Sequence, residues 1–311
     1  MAAVAMGMAC APNEIIYKVG SEESAGGDGG GIYYPPKPSE DDGDDTVDGF
    51  APEGYRLVWH DEFNNPGTLR TEWKFEKGGT GWGNGELQYY CDNGRYAPTG
   101  QETARISGGT LKLTAYKIIP SASSDNKEYI STRMNTRKDW KYGYIEMRAK
   151  LPVIEGSWPA FWMLPSDGKY HIADGGGELD IMEWVGNSPD KVHFSAHCQH
   201  VTRNSGEYYI NPETGAQDYP HSRYTSIVNP WDWHCYAMEW THEYVKAFLD
   251  GREYYYAGNV KPDENDETWW PFDKEYYLKL NLAIGGSWGG SVDPNFESVT
   301  YEVDWVRVYQ K

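Results

Sequence analysis

The most informative segment of the chain is Gly177–Trp184, which reads Gly-Glu-Leu-Asp-Ile-Met-Glu-Trp. On a regular β-strand successive side chains point to opposite faces, so Glu178 and Asp180 share one face while Leu179 and Ile181 face the core. Glu183 has the wrong parity to join the other two carboxylates. One extra residue, most simply Met182 absorbed in a β-bulge, would return Glu183 to their face. The sequence therefore predicts a bulged strand with three carboxylates on one face.

Such closely spaced carboxylates repel one another, and at least one is expected to stay protonated near neutral pH. A proton donor beside an ionised carboxylate is what glycoside hydrolysis requires, and a separation of ~5–5.5 Å between two such groups specifies the retaining, double-displacement route. A solvated acidic strand and a calcium site are the alternatives that this strand leaves open by itself.

From about Pro52 onward the chain consists of short segments of period two, rich in Tyr, Trp, Val and Ile. Asp250-Gly251 between two such runs is a strong hairpin signal. No amphipathic helix longer than two turns is evident. We predict an all-β fold, an antiparallel β-sandwich of jelly-roll type spanning residues 51–311. The predicted strands are Tyr55–Trp59, Thr110–Tyr116, Ile130–Arg137, Tyr142–Leu151, Glu178–Trp184, Lys191–His197, His234–Trp240, Tyr276–Ile284 and Thr300–Tyr309.

Residues 1–50 have a different character. Ala2–Ala9 is a short apolar stretch followed by Cys10, which is typical of a secretion signal ending in a lipobox, although a truncated terminus would read the same way. Residues 20–49 are rich in Gly, Pro and Asp, a composition that predicts a disordered acidic linker. We expect an exported protein, either secreted or attached to the bacterial cell surface through a lipid on Cys10.

Composition excludes several partners. The chain has 28 Lys and Arg against 47 Asp and Glu, a net charge of −19, which argues against binding nucleic acid or another polyanion. No run approaches the ~20 apolar residues that span a bilayer. Cys91, Cys198 and Cys235 show no Cys-x-x-Cys spacing. We expect buried free thiols rather than a Cys198–Cys235 bridge.

The motifs around the carboxylates carry a family resemblance. They are Tyr55–Phe63 (YRLVWHDEF), Gly81–Tyr90 (GWGNGELQYY), Ser157–Leu164 (SWPAFWML), Asn281–Trp288 (NLAIGGSW) and Val303–Tyr309 (VDWVRVY). With the Glu-x-Asp-x-x-Glu signature, residues 52–311 resemble glycoside hydrolase family 16, close to its laminarinase branch. The six-residue signature is similar to that of laminarinases, agarases and carrageenases and unlike the five-residue form of lichenases. The resemblance implies a concanavalin A-like sandwich with an open substrate cleft on its concave sheet.

The resemblance also assigns roles. Glu178 matches the nucleophile, Glu183 the general acid/base, and Asp180 the carboxylate that hydrogen-bonds the nucleophile. The resemblance also implies that catalysis needs no cofactor. A saccharide groove combines aromatic platforms with polar partners. The substrate-binding candidates are Trp158, Trp162 and Trp288 for stacking, and Asn84, Arg133 and His197 for polar contacts.

Two groups of residues have side chains that could ligate a metal. His193 and His197 would share a strand face, but His200 falls on the other, so a zinc site is not expected. The resemblance implies one structural Ca²⁺ on the convex side, and the matching positions are Glu62, Gly108 and Asp304, an oxygen-only set that suits a hard cation.

The substrate expected from the sequence is a neutral β-glucan, because the cleft motifs contain few cations apart from Arg133, whereas a sulfated galactan would require several. We predict a monomeric, endo-acting, retaining β-glucanase for β-1,3-glucan (laminarin), mixed-linkage β-1,3/1,4-glucan or both. The loop Ser166–Gly176 departs from the family pattern and leaves the linkage preference open. The alternatives are hydrolysis of agar, carrageenan or porphyran, transglycosylation, and a non-catalytic carbohydrate-binding module.

Overall fold

The computed structural model describes residues 50–170, 175–198, 209–210, 217–218, 222–259 and 267–311. The predictions that concern residues 1–49, including Cys10 and the acidic linker, lie outside these residues. So do His200 and part of the loop Ser166–Gly176.

Two large sheets form the body of the protein, and we number the strands in chain order. The smaller sheet has seven antiparallel strands. In spatial order they are β16 (Ser222–Ser226), β13 (Lys191–His197), β12 (Glu178–Glu183), β11 (Ser157–Pro165), β20 (Tyr276–Ile284), β9 (Arg133–Trp140) and β2 (Trp73–Phe75).

The larger sheet has ten strands and is antiparallel except where β3 and β8 run parallel. Along its main path the strands are β19 (Arg252–Gly258), β18 (Tyr244–Leu249), β17 (His234–Trp240), β10 (Gly143–Lys150), β21 (Ser298–Gln310), β7 (Thr110–Lys117), β8 (Tyr129–Ser131) and β3 (Gln88–Tyr90). Two more strands join its side: β1 (Arg56–Asp61) pairs with β21, and β6 (Ala104–Ser107) pairs with β7.

The remaining elements are short. Two separate hairpins consist of β4 (Arg95–Tyr96) with β5 (Gln101–Glu102) and of β14 (Tyr209–Ile210) with β15 (Gln217–Asp218). The helices are α1 (Thr68–Glu72), α2 (Gly286–Gly289) and the 3-10 turns Asp92–Gly94 and Ala122–Ser124. Within the described part of the chain, no helix has the length and apolar character that crossing a membrane requires.

The hydrophobic core lies between the two sheets. Alternate residues of the smaller sheet, such as Phe161 and Leu280, meet Met147, Trp240 and other residues of the larger sheet in one buried cluster. Because each strand turns every second side chain inward, the opposite face of the smaller sheet remains available for a groove.

The predicted all-β sandwich is confirmed, and three strands, β13, β17 and β20, have the predicted boundaries. The segment Ile130–Arg137 is two strands rather than one, because β8 joins the larger sheet and β9 the smaller. The hairpin at Asp250-Gly251 is confirmed, with φ of 51° and 74° at these residues, as a type I′ turn requires. Cys91, Cys198 and Cys235 are buried and are not bridged to one another, as expected.

Candidate active site

Strand β12 contains the predicted bulge, although at a different residue. Across from β11, Phe161 pairs with Met182 and Trp162 with Asp180, so Ile181 is the residue without a partner. The prediction placed the extra residue at Met182. Both Ile181 and Met182 point into the core, where they are 1% and 0% exposed. Two consecutive apolar side chains turn inward, and Glu183 therefore returns to the face that carries Asp180.

The bulge brings three carboxylates together at the surface of the smaller sheet. Asp180 is buried and is hydrogen-bonded to Glu178, its neighbour on the same face. His197, directly opposite Glu178 on β13, places Nε2 3.1 Å from Asp180 Oδ2. The indole Nε1 of Trp158 donates a hydrogen bond of 3.0 Å to Glu183 Oε1. Trp158 therefore fixes the position of Glu183, while Asp180 lies between Glu178 and His197.

Burial and mutual repulsion keep protons on this trio. Burial, with the neighbouring Asp180 carboxyl, raises the pKa of Glu178 to about 8. Burial raises the pKa of Asp180 to about 7, against the stabilising hydrogen bond from Glu178. The pKa of Glu183 is raised well above its usual value by burial and by the charges of Asp180 and Glu178. All three shifts are in the direction of the prediction that at least one carboxyl stays protonated near neutral pH.

An aromatic row extends from Glu183 along one half of the groove. The rings of Trp158 and Trp288 meet edge to face at 5.4 Å, and Trp288 meets His193 edge to face at 4.9 Å. His193 in turn lies 5.5 Å from the ring of Tyr224 on β16. Trp158 and Trp288 were predicted to line the groove, whereas Tyr224 was not considered, because no motif surrounds it.

The other half of the groove contains a cluster of aromatic rings and cations. The guanidinium of Arg133 lies 4.5 Å from the ring centre of Trp82 and 4.8 Å from that of Trp162. Its Nε donates a short hydrogen bond to Glu76. The buried Lys279 also contacts Glu76 Oε2, at 2.9 Å. The ring of Trp162 therefore packs against cations, and the side chain is only 9% exposed. The sequence predicted an open stacking platform at this residue.

Sequence reasoning missed three members of this cluster. Trp82 lies in the motif Gly81–Tyr90, from which only Asn84 was predicted to contact substrate, so the sequence did contain a signal for Trp82. Glu76 and Lys279 belong to strand-like stretches with no distinguishing pattern. Burial in the cluster, with the charge of Arg133 adding to it, lowers the pKa of Lys279 to about 7, although Glu76 opposes the shift.

Asn84 lies at the rim of the groove in the turn 81–86. Its backbone amide donates to the carbonyl of Gly81 at 3.0 Å, and its own carbonyl accepts a 2.7 Å hydrogen bond from Ser287 at the start of α2. A Cβ on Gly286 would lie 2.9 Å from that carbonyl oxygen, and φ there is 81°. Glycine therefore permits the close approach that fixes the turn beside α2 and its Trp288.

The predicted metal positions have other partners. Arg307 donates to both carboxylate oxygens of Glu62, at 2.9 and 3.1 Å, and Arg148 donates to Asp304 Oδ2 at 2.6 Å. Gly108 lies in the turn between β6 and β7, with φ of 64°. A cation that bound through these side chains would have to displace an arginine from each carboxylate.

His200, the third histidine of the zinc site considered from the sequence, lies outside the described residues. The ring of His193 packs against aromatic rings, and His197 faces Asp180. Among the described residues, one group of three side chains could converge on a metal ion, and it is Glu178, Asp180 and His197 of the candidate site itself.

Comparison with known proteins agrees with the fold. The profile described as Glycosyl hydrolases family 16 matches residues 92–307. A β-glucanase of Rhodothermus marinus is 39% identical over 265 residues, which cover 82% of this chain and 85% of that relative. The chain is therefore a glycoside hydrolase and belongs to family 16.

Solved structures show the same similarity. The laminarinase from Rhodothermus marinus has a TM-score of 0.67 and 38% identity, covering 82% of this chain and 97% of that one. A mutant of a non-specific endo-β-1,3(4)-glucanase of the family has a TM-score of 0.69 and 35% identity, covering 84% of this chain and 96% of that one. That protein was co-crystallised with 1,3-β-D-cellotriosyl-glucose and presents 1,3-β-D-cellobiosyl-glucose at its active site.

Proposed function

We propose that this chain is an endo-acting, retaining β-glucanase that hydrolyses β-1,3-glucan, mixed-linkage β-1,3/1,4-glucan or both. The observation that carries the proposal is the side-by-side placement of Glu178, Asp180 and Glu183 on the open face of β12. Tryptophan rings border these carboxylates, and sugars offer matching apolar faces. The β-glucan substrates in the names of similar proteins support the same choice.

In the first half of the reaction, Glu183 is the acid and Glu178 the nucleophile. Glu183 gives its proton to the glycosidic oxygen while the Glu178 carboxylate attacks the anomeric carbon, so the bond between that carbon and the oxygen breaks. The raised pKa of Glu183 keeps the required proton in place. Glu178 must be ionised at this moment, and its hydrogen bond with Asp180 allows the proton that the two share to reside on Asp180.

In the second half, a water molecule releases the glycosyl group. The Glu183 carboxylate takes a proton from the water, the water oxygen bonds to the anomeric carbon, and the ester bond to Glu178 breaks with its electron pair returning to Glu178. Trp158 supports this stage, because its indole N–H stabilises the ionised form of Glu183. His197 lies against Asp180 and helps to hold that carboxyl in place.

The charge of the groove favours a neutral polysaccharide. Next to the carboxylates, Arg133 is the cationic side chain that lines the groove among the described residues, and Glu76 already contacts it. Lys279 beneath the groove is buried and contacts the same carboxylate. A sulfated galactan needs cations that are free to meet its sulfate groups.

The proposal is tested by incubating the protein with laminarin, barley β-glucan, agarose and carrageenan and measuring the size of the products. We expect short oligosaccharides from one or both glucans, and NMR of the first product should show the β-anomer. Products from agarose or carrageenan alone would reassign the substrate. Products longer than the substrate would indicate a transglycosylase, and the absence of any product would indicate a binding module.

The catalytic assignment is tested separately by Glu178→Gln and Glu183→Gln. Each substitution should abolish hydrolysis and leave Tm unchanged or slightly higher, because an amide of similar size replaces the carboxyl and cannot ionise beside the other two. Glu302→Gln, on the larger sheet, serves as a control that should keep full activity. Substantial hydrolysis by either groove variant would overturn the assignment.

We also propose the organisation predicted from the sequence: residues 51–311 as the catalytic domain, and residues 1–50 as the remnant of an export signal followed by a linker. Limited proteolysis of the full chain should release an active fragment that begins near residue 51. Mass spectrometry of the protein from its native host would show whether Cys10 carries a lipid, and size-exclusion chromatography would test the predicted monomer.

A structural calcium ion at Glu62, Gly108 and Asp304 remains a proposal, with carbonyl oxygens as its ligands. If it binds, Tm should rise with CaCl₂ and fall with EDTA, while kcat at a temperature well below Tm should not change. If neither CaCl₂ nor EDTA changes Tm, the proposed calcium site is wrong.

A further inference from the structure

The aromatic row beside Glu183 ends in a residue that the catalytic assignment does not use. Tyr224 lies on β16, the edge strand of the smaller sheet, directly opposite His193. His193 is in turn directly opposite Glu183 on β12. Residues directly opposite each other on neighbouring strands share a face, so Tyr224 lies on the same face as the catalytic carboxylate.

The ring of Tyr224 is exposed at the edge of the smaller sheet. It is 53% exposed, whereas Trp158 is 8% exposed, so it retains a wide free surface. Lys191 Nζ lies 4.7 Å from the centre of the Tyr224 ring, and His193 packs against the ring at 5.5 Å. These contacts hold the ring in place without covering it. A large exposed aromatic side chain fixed beside a polysaccharide groove has the properties of a sugar platform.

The position of Glu183 indicates which part of the substrate would bind in the half of the groove that contains the aromatic row. In the proposed mechanism, Glu183 gives its proton to the leaving group. Trp158 donates to Glu183 and begins the row of rings that ends at Tyr224. The row therefore borders the side on which the leaving group departs. Two strand spacings separate Glu183 from Tyr224, roughly 9.5 Å, which is about the length of two sugar units.

We propose that Tyr224, held by Lys191, binds the second glucosyl unit on the leaving-group side of the bond that is cleaved. This inference rests on the proposed β-glucanase function and deepens it. The free ring surface stacks against the apolar face of the sugar, and Lys191 is close enough to meet its hydroxyl groups. The platform makes cleavage faster when at least two glucosyl units follow the scissile bond.

The experiment compares two substrates in the full-length protein. Laminarihexaose can place glucosyl units on Tyr224, whereas a 4-nitrophenyl β-laminaribioside has a leaving group without sugar. Tyr224→Ala should lower the ratio of kcat/KM for the hexaose to kcat/KM for the nitrophenyl substrate roughly tenfold, equivalent to about 1.4 kcal/mol. Tyr224→Phe keeps the ring and should restore most of that ratio. Cleavage of reducing-end-labelled hexaose should also shift toward bonds nearer the label in Tyr224→Ala.

A matched control is Tyr256→Ala, which removes a half-buried tyrosine from β19, the edge strand of the other sheet. It should leave both the ratio and the cleavage pattern unchanged. If the wild-type protein cleaves neither substrate, the proposed function itself fails. If the wild type cleaves both and Tyr224→Ala has the wild-type ratio and cleavage pattern, the function stands and the platform is refuted.

Discussion

Trp158→Phe is the substitution that most directly tests which carboxyl acts as the acid. The change keeps an aromatic ring but removes the indole N–H that donates to Glu183 Oε1 at 3.0 Å. That hydrogen bond stabilises the ionised form of Glu183, so its loss should raise the pKa of Glu183 further. Because the enzyme needs Glu183 protonated, the alkaline limb of the kcat/KM profile should move to higher pH.

The size of this shift follows from the strength of the bond. A hydrogen bond to a charged group contributes about 1.5–3 kcal/mol, and we take the lower end because Glu183 is partly exposed. About 1.5 kcal/mol corresponds to roughly one pKa unit. The acid limb, which reports ionisation of the Glu178–Asp180 pair, should stay within a few tenths of a unit.

The assay is kcat/KM on laminarin from pH 4 to 10, with Tm measured at each end. Trp162→Phe is the matched control, since it also removes an indole N–H from β11, but one that donates to Asn281 Oδ1 at 2.7 Å. Its alkaline limb should not move. An unchanged alkaline limb in Trp158→Phe, with the protein still folded, would refute the assignment of Glu183 as the acid.

Two further predictions concern the support of the site. Glu76→Gln should lower the free energy of unfolding, measured by urea titration at pH 6, by about 3 kcal/mol, because the buried Lys279 loses its anionic partner. Glu102→Gln is the control: it removes the anion of an exposed ion pair and should change the free energy of unfolding by less than about 1 kcal/mol. Deleting Ile181 should restore regular alternation, keep all three carboxylates on one face and retain measurable laminarin hydrolysis, despite a cavity cost of about 3 kcal/mol. Deleting Leu179 moves Glu178 to the core side and should abolish laminarin hydrolysis. If both deletions lose the same amount of activity, the register of β12 described above is wrong.

The fold and the carboxylate trio could be predicted because both depend on local pattern. Alternation along β13, β17 and β20 specified their boundaries, and the parity of Glu183 required a bulge. Parity could not say which residue bulges, because Ile181 and Met182 are both apolar and either could be unpaired. That choice depends on packing against β11 and on the core, which a single strand does not reveal.

The cluster around Arg133 could not be predicted for a different reason. Arg133 and Lys279 lie on β9 and β20, and Glu76 directly follows β2, so the three residues are far apart in sequence. Their contacts arise only when β2, β9 and β20 become neighbours. A lysine in a strand made mostly of apolar residues reads as a solvent-facing position. Its burial beneath the groove follows from the shared carboxylate of Glu76, which compensates the cost of removing the charge from water.

The two halves of the groove differ in a way that suits a double-displacement enzyme. On the side of Arg133, cations pack against the ring of Trp162, so the proposed function would have a sugar there bound mainly through directed hydrogen bonds. A fixed orientation is needed on the side that keeps the glycosyl group as a covalent intermediate, because the anomeric carbon must meet first Glu178 and then water. On the side of Trp288 and Tyr224, ring faces bind sugars with little dependence on hydroxyl orientation. That side must release one chain end and accept glucans of varied linkage, for which stacking without strict hydrogen-bond geometry is sufficient.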